Sequence, residues 1–239
     1  MADPVQSVLD PFLADVDRVL GDRYSAVLYG SAARGDFVKG RSDINVLMVL
    51  DDVGPGVLRS LGGAFSAWRK AAQEPPLLLS RAEWLSAADA FPIEISDMRA
   101  AYRVLRGADP LAGVSVERAD LRRALEREFR GKLLRLRQGY VTLSGDTAAL
   151  SGVAAESVGT MLVLYRALLS LRGRPVPADS AALVTAAASE VGFPPDSLGR
   201  IAAGRADRAW RVTTTDFEAY LDAVAQTAAF VDHLQLGDQ

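Results

Sequence analysis

The chain has no cysteine and a single histidine, His233, among 239 residues. Disulfide bridges and thiolate metal sites are therefore excluded, and His233, near the end of the sequence, is expected to be a surface residue rather than a catalytic base. Lysine is scarce, whereas arginine and alanine are abundant. Aromatic residues make up 7% of the chain and the net charge is −3. These values argue against a basic, aromatic surface, so no nucleic-acid partner is expected.

The sequence also lacks the features of membrane and exported proteins. The N-terminal segment MADPVQSVLDPFLADVDRVL is acidic and amphipathic, unlike a signal or transit peptide. No apolar run approaches the length that spans a membrane, about 20 residues. We therefore expect a soluble, cytoplasmic protein with no membrane partner. The 49% of hydrophobic residues is enough for the cores of two modest domains or one large one.

The most informative segment is VLYGSAARGDFVKGRSDINVLMVL, residues 27–50, where two apolar runs flank a glycine-rich and charged connection. The first run predicts a buried strand that ends at Tyr29. Gly30 permits a turn that a residue with a Cβ would resist. Ser31 is a good N-cap for a short helix through Arg34, whose free N–H groups would point at an anion. The segment therefore predicts a phosphate-binding turn.

The second apolar run adds candidate metal ligands. Asp43 and Asn45 lie two residues apart in a predicted strand, so both side chains project from one face while Ile44 faces the core. Oxygen ligands opposite a phosphate-binding turn suit Mg²⁺, which binds few protein carboxylates and completes its octahedron with water and phosphate oxygens. A P-loop is excluded, because Asp36-Phe37 stands where Lys-Ser/Thr would follow Gly35.

The chain is predicted to be α+β, with an α/β part followed by an all-α part. Helices are predicted over 5–20, 57–72 and 81–88; strands are predicted over 23–29, 43–50, 76–79 and 91–98, and 101–105 is either strand or helix. The turn-rich segment 107–113 predicts a linker, which gives domains of residues 1–113 and 114–239. The second domain is predicted to be a helical bundle with a long apolar stripe from residue 121 to 140 and further helices over 148–171, 178–191, 196–206 and 215–236. The helix over 148–171 is apolar nearly all round, so it is expected at the centre of the bundle.

Further charged residues are candidates for the same site. Glu94 is a carboxylate on the otherwise apolar predicted strand FPIEISDM. We take Glu94 as the third acidic or amide side chain of the site, after Asp43 and Asn45, and call it the third acid. Asp97 is the alternative third acid, because strand ends are poorly placed from sequence. The basic run that begins at Arg122 predicts a solvated helix face, in which Arg130 and Lys132 are the candidates to meet phosphates.

The Gly30-Ser31 turn followed by Asp43-Ile44-Asn45 resembles the Gly-Ser…Asp-x-Asp signature of the polymerase-beta-like nucleotidyltransferase superfamily. The resemblance covers residues 24–98 and implies a small mixed-sheet catalytic domain. Kanamycin nucleotidyltransferase and other aminoglycoside adenylyltransferases also join such a domain to a helical bundle.

The resemblance implies transfer of a nucleoside monophosphate, AMP from ATP or the equivalent from another nucleoside triphosphate, to a hydroxyl of a small molecule or protein. It implies a role for each candidate. Gly30, Ser31, Arg34 and Lys132 would hold the nucleotide; Asp43, Asn45 and Glu94 would bind Mg²⁺ or Mn²⁺; and Asp43 and Glu94 would be catalytic.

Asn45 departs from the signature, which has a second acid at this position. Its amide oxygen can coordinate a metal but is neutral, so a second, nucleophile-activating metal is harder to hold. A nucleotide-binding pseudoenzyme or sensor is therefore an alternative hypothesis. A third is an antitoxin-like protein that binds a protein partner, although the Arg-x4–6-His signature of HEPN ribonucleases does not precede His233. An oligomer is compatible with all three.

Overall fold

The computed structural model describes residues 3–35, 37, 43–71, 74–205, 207 and 209–236. Over these residues the protein is a mixed α+β structure with eleven helices and one four-stranded sheet. Its contacts divide the chain into two compact units, Met1–Ser115 and Val116–Gln239. The division lies just beyond the predicted linker.

The first unit contains the four strands and the first six described helices. In chain order they are α1 (Gln6–Leu20), β1 (Tyr24–Tyr29), α2 (Ser31–Arg34), β2 (Asn45–Leu50), α3 (Pro55–Ser60), α4 (Gly62–Lys70), β3 (Leu77–Ser80), α5 (Arg81–Leu85), α6 (Pro92–Ala100) and β4 (Tyr102–Arg106). The strand order is β3-β2-β1-β4. β1 is antiparallel to β2 and β4, whereas β2 and β3 are parallel, so the sheet is mixed, as predicted.

One face of the sheet carries the main core of this unit. Alternate residues of β1 and β2 share this face. They are Tyr24, Ala26, Leu28, Val46, Met48 and Leu50, and they pack with Leu9, Phe12, Leu13 and Val16 of α1 and with Ala64 and Trp68 of α4. Burial of each such leucine, valine or phenylalanine side chain contributes about 1.5–3 kcal/mol. The core therefore fixes β1 and β2 side by side.

The opposite face, called the second face below, is also buried along most of its length. Val27 of β1 and Leu47 and Val49 of β2 are at most 2% exposed. Tyr29 and Asn45 are directly opposite each other in the register and end this face. The end of the sheet next to α2 therefore changes from apolar to polar side chains.

The prediction of a strand over residues 91–98 is wrong. This segment forms helix α6, and the strand that follows is β4. Pro92 stands at the first helical position, where its fixed φ and missing N–H are tolerated. Ile93, Ile95 and Met98 are all buried, so a short apolar run was compatible with either period.

The single helix predicted over 57–72 is two helices, α3 and α4, which meet at Leu61. The break comes next to Gly62 and Gly63, and glycine has the lowest helix propensity after proline. The helix predicted over 81–88 is shorter, because α5 ends at Leu85. Its start is well defined, since Ser80 and Glu83 form a reciprocal capping box.

The second unit is helical throughout the residues described. Its helices are α7 (Arg118–Leu143), α8 (Thr147–Leu171), α9 (Ser180–Val191), α10 (Asp196–Gly204) and α11 (Thr214–Asp232). α8 contacts each of the other four, which confirms the prediction that it is central. Two pairs of buried hydroxyls join α8 to α11: Ser157 with Tyr220 at 2.9 Å and Tyr165 with Thr227 at 3.2 Å.

The expectation that no apolar segment reaches membrane-spanning length does not hold for α8. Among the described residues, it is the one helix long and apolar enough to cross a membrane by length and composition. In its most apolar window 44% of the residues are buried, as its contacts with four other helices require. A central helix of a bundle meets the same criterion, so the structure is compatible with a soluble protein.

Candidate functional site

α2 is flanked by two glycines with positive φ, one in the turn that joins it to β1 and one after its last residue. Gly30 stands at the N-cap of α2 with φ 74°, and Gly35 ends the helix in the left-handed region with φ 88°. The carbonyl of Gly30 accepts hydrogen bonds from Ala33 N–H at 3.1 Å and Arg34 N–H at 3.0 Å. Ser31 is therefore the first helical residue and not the N-cap, which corrects the prediction. Its N–H still belongs to the first turn, where backbone donors have no acceptor within the helix.

Asn45 packs directly against this turn. It is the first residue of β2, opposite Tyr29, and its side chain is half-buried. A Cβ on Gly30 would lie 2.7 Å from the Asn45 Nδ2 atom, which is closer than unbonded atoms approach. A side chain at position 30 would therefore require Asn45 to move, and the positive φ of this residue also favours glycine. The Gly-Ser turn and the start of β2 are thus in contact.

Asp43 lies just outside β2 and is exposed, whereas Ile44 between it and Asn45 is 1% exposed. The alternation predicted for the three residues is therefore present, although the strand begins two residues later than predicted. Carboxylate and amide oxygens are suitable ligands for Mg²⁺ or Mn²⁺. Oδ1 is the atom of the Asn45 side chain that can coordinate a cation, because the amide nitrogen is only a hydrogen-bond donor.

α6 brings two carboxylates to the same end of the sheet. Glu94 is exposed in the first turn of this helix. Asp97, one turn later, forms an ion pair with Arg34 of α2, with 3.6 Å between Oδ2 and the guanidinium nitrogen, and both side chains are almost buried at 11% and 12% exposed. The prediction that Glu94 projects from a strand is therefore wrong, and Asp97 is the more buried of the two acids.

The raised pKa of Tyr29 indicates that both acids lie near the end of β1. Burial, together with the negative charges of Asp97 and Glu94, raises the pKa of Tyr29 to about 12. Both carboxylates are therefore near enough to act on a phenol that ends β1. Since Tyr29 is paired with Asn45, the start of α6, the Gly-Ser turn and the start of β2 converge on one region.

The donors present fit one divalent cation better than two. Within the residues described, no three histidine, aspartate or glutamate side chains form a metal-binding group. β4 pairs with β1 on the side away from β2, and its sequence YRVLR contains no carboxylate. Tyr102 and Val104 share the second face with Tyr29. Asp43, Asn45 and Glu94 stay the predicted ligands of a cation, with phosphate oxygens and water completing its coordination.

Lys132, predicted to hold phosphates, lies on α7 in the second unit. Its side chain is half-buried, and burial lowers the pKa of Lys132, as does the neighbouring Arg135. Arg130 is paired instead with Asp232 at 2.6 Å and Glu126 at 3.2 Å. The role of Lys132 stays a prediction, whereas Arg130 of α7 pairs with a carboxylate at the end of α11.

Sequence reasoning missed Tyr29 and the Arg34–Asp97 pair. The sequence indicated Tyr29 only as the end of a strand, and Asp97 only as the alternative to Glu94 as the third acid. Nothing in the pattern indicated that α2 and α6 meet. In comparisons with protein-family models and with curated proteins, nothing matches this chain.

Proposed function

We propose that this protein binds a nucleoside triphosphate at the junction of the Gly-Ser turn with β2 and transfers its nucleoside monophosphate to a hydroxyl group. The observation that carries the proposal is the contact between Asn45 and Gly30, because it joins the two halves of the predicted motif. The ion pair of Arg34 and the carboxylates near Tyr29 supply charged groups at the same place. The proposal implies a nucleotidyltransferase domain followed by a helical bundle, in a protein of the cytoplasm.

In the proposed reaction the acceptor hydroxyl oxygen attacks the α-phosphorus, the bond to the β-phosphate breaks and pyrophosphate leaves. Gly30 and Ser31 would hold the phosphates, and Glu94 would take the hydroxyl proton. Asp43 and Asn45 would hold one Mg²⁺ or Mn²⁺, which when bound neutralises charge on the phosphates. Such chemistry depends mostly on positioning and charge neutralisation, so no histidine is required.

Nucleotide binding without transfer is the second candidate. This candidate is favoured by the ion pair between Asp97 and Arg34. Asp97 is the more buried of the two candidate third acids, and the pair engages its charge. Asn45 further reduces the negative charge that a pair of metal ions needs. A sensor or pseudoenzyme would keep the phosphate-binding turn and the single cation.

The two candidates are separated by measuring pyrophosphate release from ATP with Mg²⁺ or Mn²⁺, with and without a mixture of small-molecule hydroxyl acceptors. We expect release by the wild-type protein and a loss of about 100-fold or more in Asp43→Asn, since a charged group that stabilises the transition state is removed. The matched control is Asp89→Asn, which makes the same charge change at an exposed position of α5's C-terminal loop.

Transfer that is absent in the wild-type protein and appears in Asn45→Asp, while ATP binding is present in both, would establish the second candidate. Isothermal titration with ATP and Mg²⁺ measures the binding. If no variant binds a nucleoside triphosphate, both candidates are wrong.

A further inference from the structure

The Arg34–Asp97 pair is poorly arranged for a contact that only stabilises the fold. Its charged atoms are 3.6 Å apart, beyond hydrogen-bond distance. Oδ1 of Asp97 is buried and accepts no hydrogen bond from the part of the chain that the structure describes. Buried carboxylate oxygens are normally satisfied, so Asp97 keeps acceptor capacity that the fold does not use.

The pair also lies beside the proposed phosphate site. Arg34 is the last residue of α2, one helical turn from Ser31. Tyr29 and Glu94 are the neighbouring polar groups on β1 and α6, because both Asp97 and Glu94 act on the Tyr29 phenol. In this partly desolvated region a guanidinium needs a negative partner, and Asp97 provides one when no other anion is bound.

We propose that Asp97 is a positioning residue that holds Arg34 at the end of α2, and that the phosphates of a nucleoside triphosphate replace Asp97 as the partner of Arg34. This inference rests on the proposed function, since it concerns the same site. It assigns Asp97 to phosphate affinity, and therefore removes it from the candidate metal ligands.

Exchange of partners has a direct consequence for selectivity. A carboxylate carries one negative charge, whereas a triphosphate carries several. Its oxygens can also accept two parallel hydrogen bonds from the N–H groups of a guanidinium. Asp97 therefore competes with weakly charged anions more effectively than with triphosphates. Neutralising Asp97 is expected to strengthen anion binding, because the negative charge of Asp97 then no longer competes with the anion for Arg34.

The test is isothermal titration of the full chain with inorganic tripolyphosphate in the absence of divalent metal. Asp97→Asn, which keeps the shape of the side chain, is expected to bind about tenfold more tightly than the wild-type protein, the size of change that one nearby charge produces at a partly buried site. Asp89→Asn, the exposed control with the same charge change, is expected to differ from the wild-type protein by less than about twofold.

The same substitution in an Arg34→Gln background distinguishes exchange at Arg34 from a general change in charge. We expect Arg34→Gln/Asp97→Asn to show no gain over Arg34→Gln. A gain of the same size in that background, or unchanged affinity in Asp97→Asn, overturns the inference. An Asp97→Asn chain that is unfolded both with and without tripolyphosphate overturns it too, because the anion is expected to replace the missing partner.

Parallel titrations with ATP and Mg²⁺ separate this inference from the proposed function. If the wild-type protein binds ATP but Asp97→Asn does not bind tripolyphosphate more tightly, only the inference fails. If Asp97→Asn gains tripolyphosphate affinity through Arg34 but no variant binds ATP, the exchange at Arg34 stands for inorganic polyphosphate and the proposed nucleotide function fails.

Discussion

Two nearly buried acids, one in each unit, have different surroundings. In the second unit Glu190 of α9 accepts hydrogen bonds from Arg172 at 2.6 Å and from Arg174 at 2.8 Å. Burial alone would raise the pKa of Glu190, but these hydrogen bonds outweigh it and lower the pKa below the ordinary value. In the first unit Asp97 lies 3.6 Å from Arg34 and leaves one buried oxygen without a hydrogen bond from the described residues.

The difference indicates what each acid is for. Glu190 joins the segment after α8 to α9, and both of its oxygens are satisfied, so its arrangement suits a structural role. A structural pair at Asp97 would have been expected to close to hydrogen-bond distance, because unsatisfied buried oxygens are costly. The looser pair lies beside the Gly-Ser turn and Asn45, which is where the proposed ligand binds.

The largest expected effect is therefore on Glu190. Glu190→Gln should lower the free energy of unfolding by about 3 kcal/mol, because two hydrogen bonds between charged groups are weakened, each reduced by the partial exposure of its arginine. Asp97→Asn should cost about 1 kcal/mol, since no hydrogen bond is lost. Urea denaturation measures both values.

Asp222→Asn in α11 is the control for the second unit, because Asp222 is exposed and its substitution should change stability by less than about 0.5 kcal/mol. A larger loss in Asp97→Asn than in Glu190→Gln would contradict the comparison. It would mean that the Arg34–Asp97 pair is a principal stabilising contact of the first unit.

The next effect concerns the turn beside Asp97. Gly30→Ala should destabilise the protein by about 2 kcal/mol, from the positive φ and from the contact with Asn45 Nδ2. Gly35→Ala is the matched control, because its φ is also positive but a Cβ there would have nothing within 4 Å. It should cost about 1 kcal/mol, from backbone strain alone.

The contact between Gly30 and Asn45 can be isolated by repeating the substitution in an Asn45→Ala background. There the cost of Gly30→Ala should fall to about 1 kcal/mol, the value for Gly35→Ala. An unchanged cost would show that Asn45 does not restrict this turn, and the observation that carries the proposed function would be lost.

The sequence predicted the parts of this site that depend on local chemistry. Gly30 marked the turn because glycine adopts positive φ without strain, and the apolar runs on either side of the turn gave β1 and β2. The helical pattern of the second unit was also readable, since α8 is apolar nearly all round and α7 carries one long stripe. Each of these signals comes from residues close together in the chain.

The remainder depended on contacts between distant segments. In FPIEISDM, strand and helix periods were both satisfied, and packing of Ile93, Ile95 and Met98 selected the helix. As a result of this helix, Glu94 is exposed and Asp97 lies next to Arg34. No local pattern encodes which acid meets an arginine 63 positions earlier, so this pair could be found only from the folded chain.

The smallest expected effect is the pH dependence of Tyr29, which tests whether the two acids act at the end of the sheet. Tyrosine in an unfolded chain has a pKa near 10, and that of Tyr29 is raised to about 12. The folded state therefore favours the neutral phenol. Its stabilising contribution is complete below about pH 10 and is lost as the pH rises from about 10 to 12.

Tyr29→Phe should remove this part of the alkaline loss of stability, roughly 1–2 kcal/mol after allowance for partial exposure. Tyr24, Tyr165 and Tyr220 also have raised pKa values, but they are present in both chains and cancel in the difference. Urea denaturation at several values between pH 9 and 12 measures it. In Asp97→Asn the phenol loses one of the two negative charges that raise its pKa, so its alkaline transition should move to lower pH. Identical transitions in the wild-type protein and Asp97→Asn would place Asp97 too far from Tyr29 to belong to the same site.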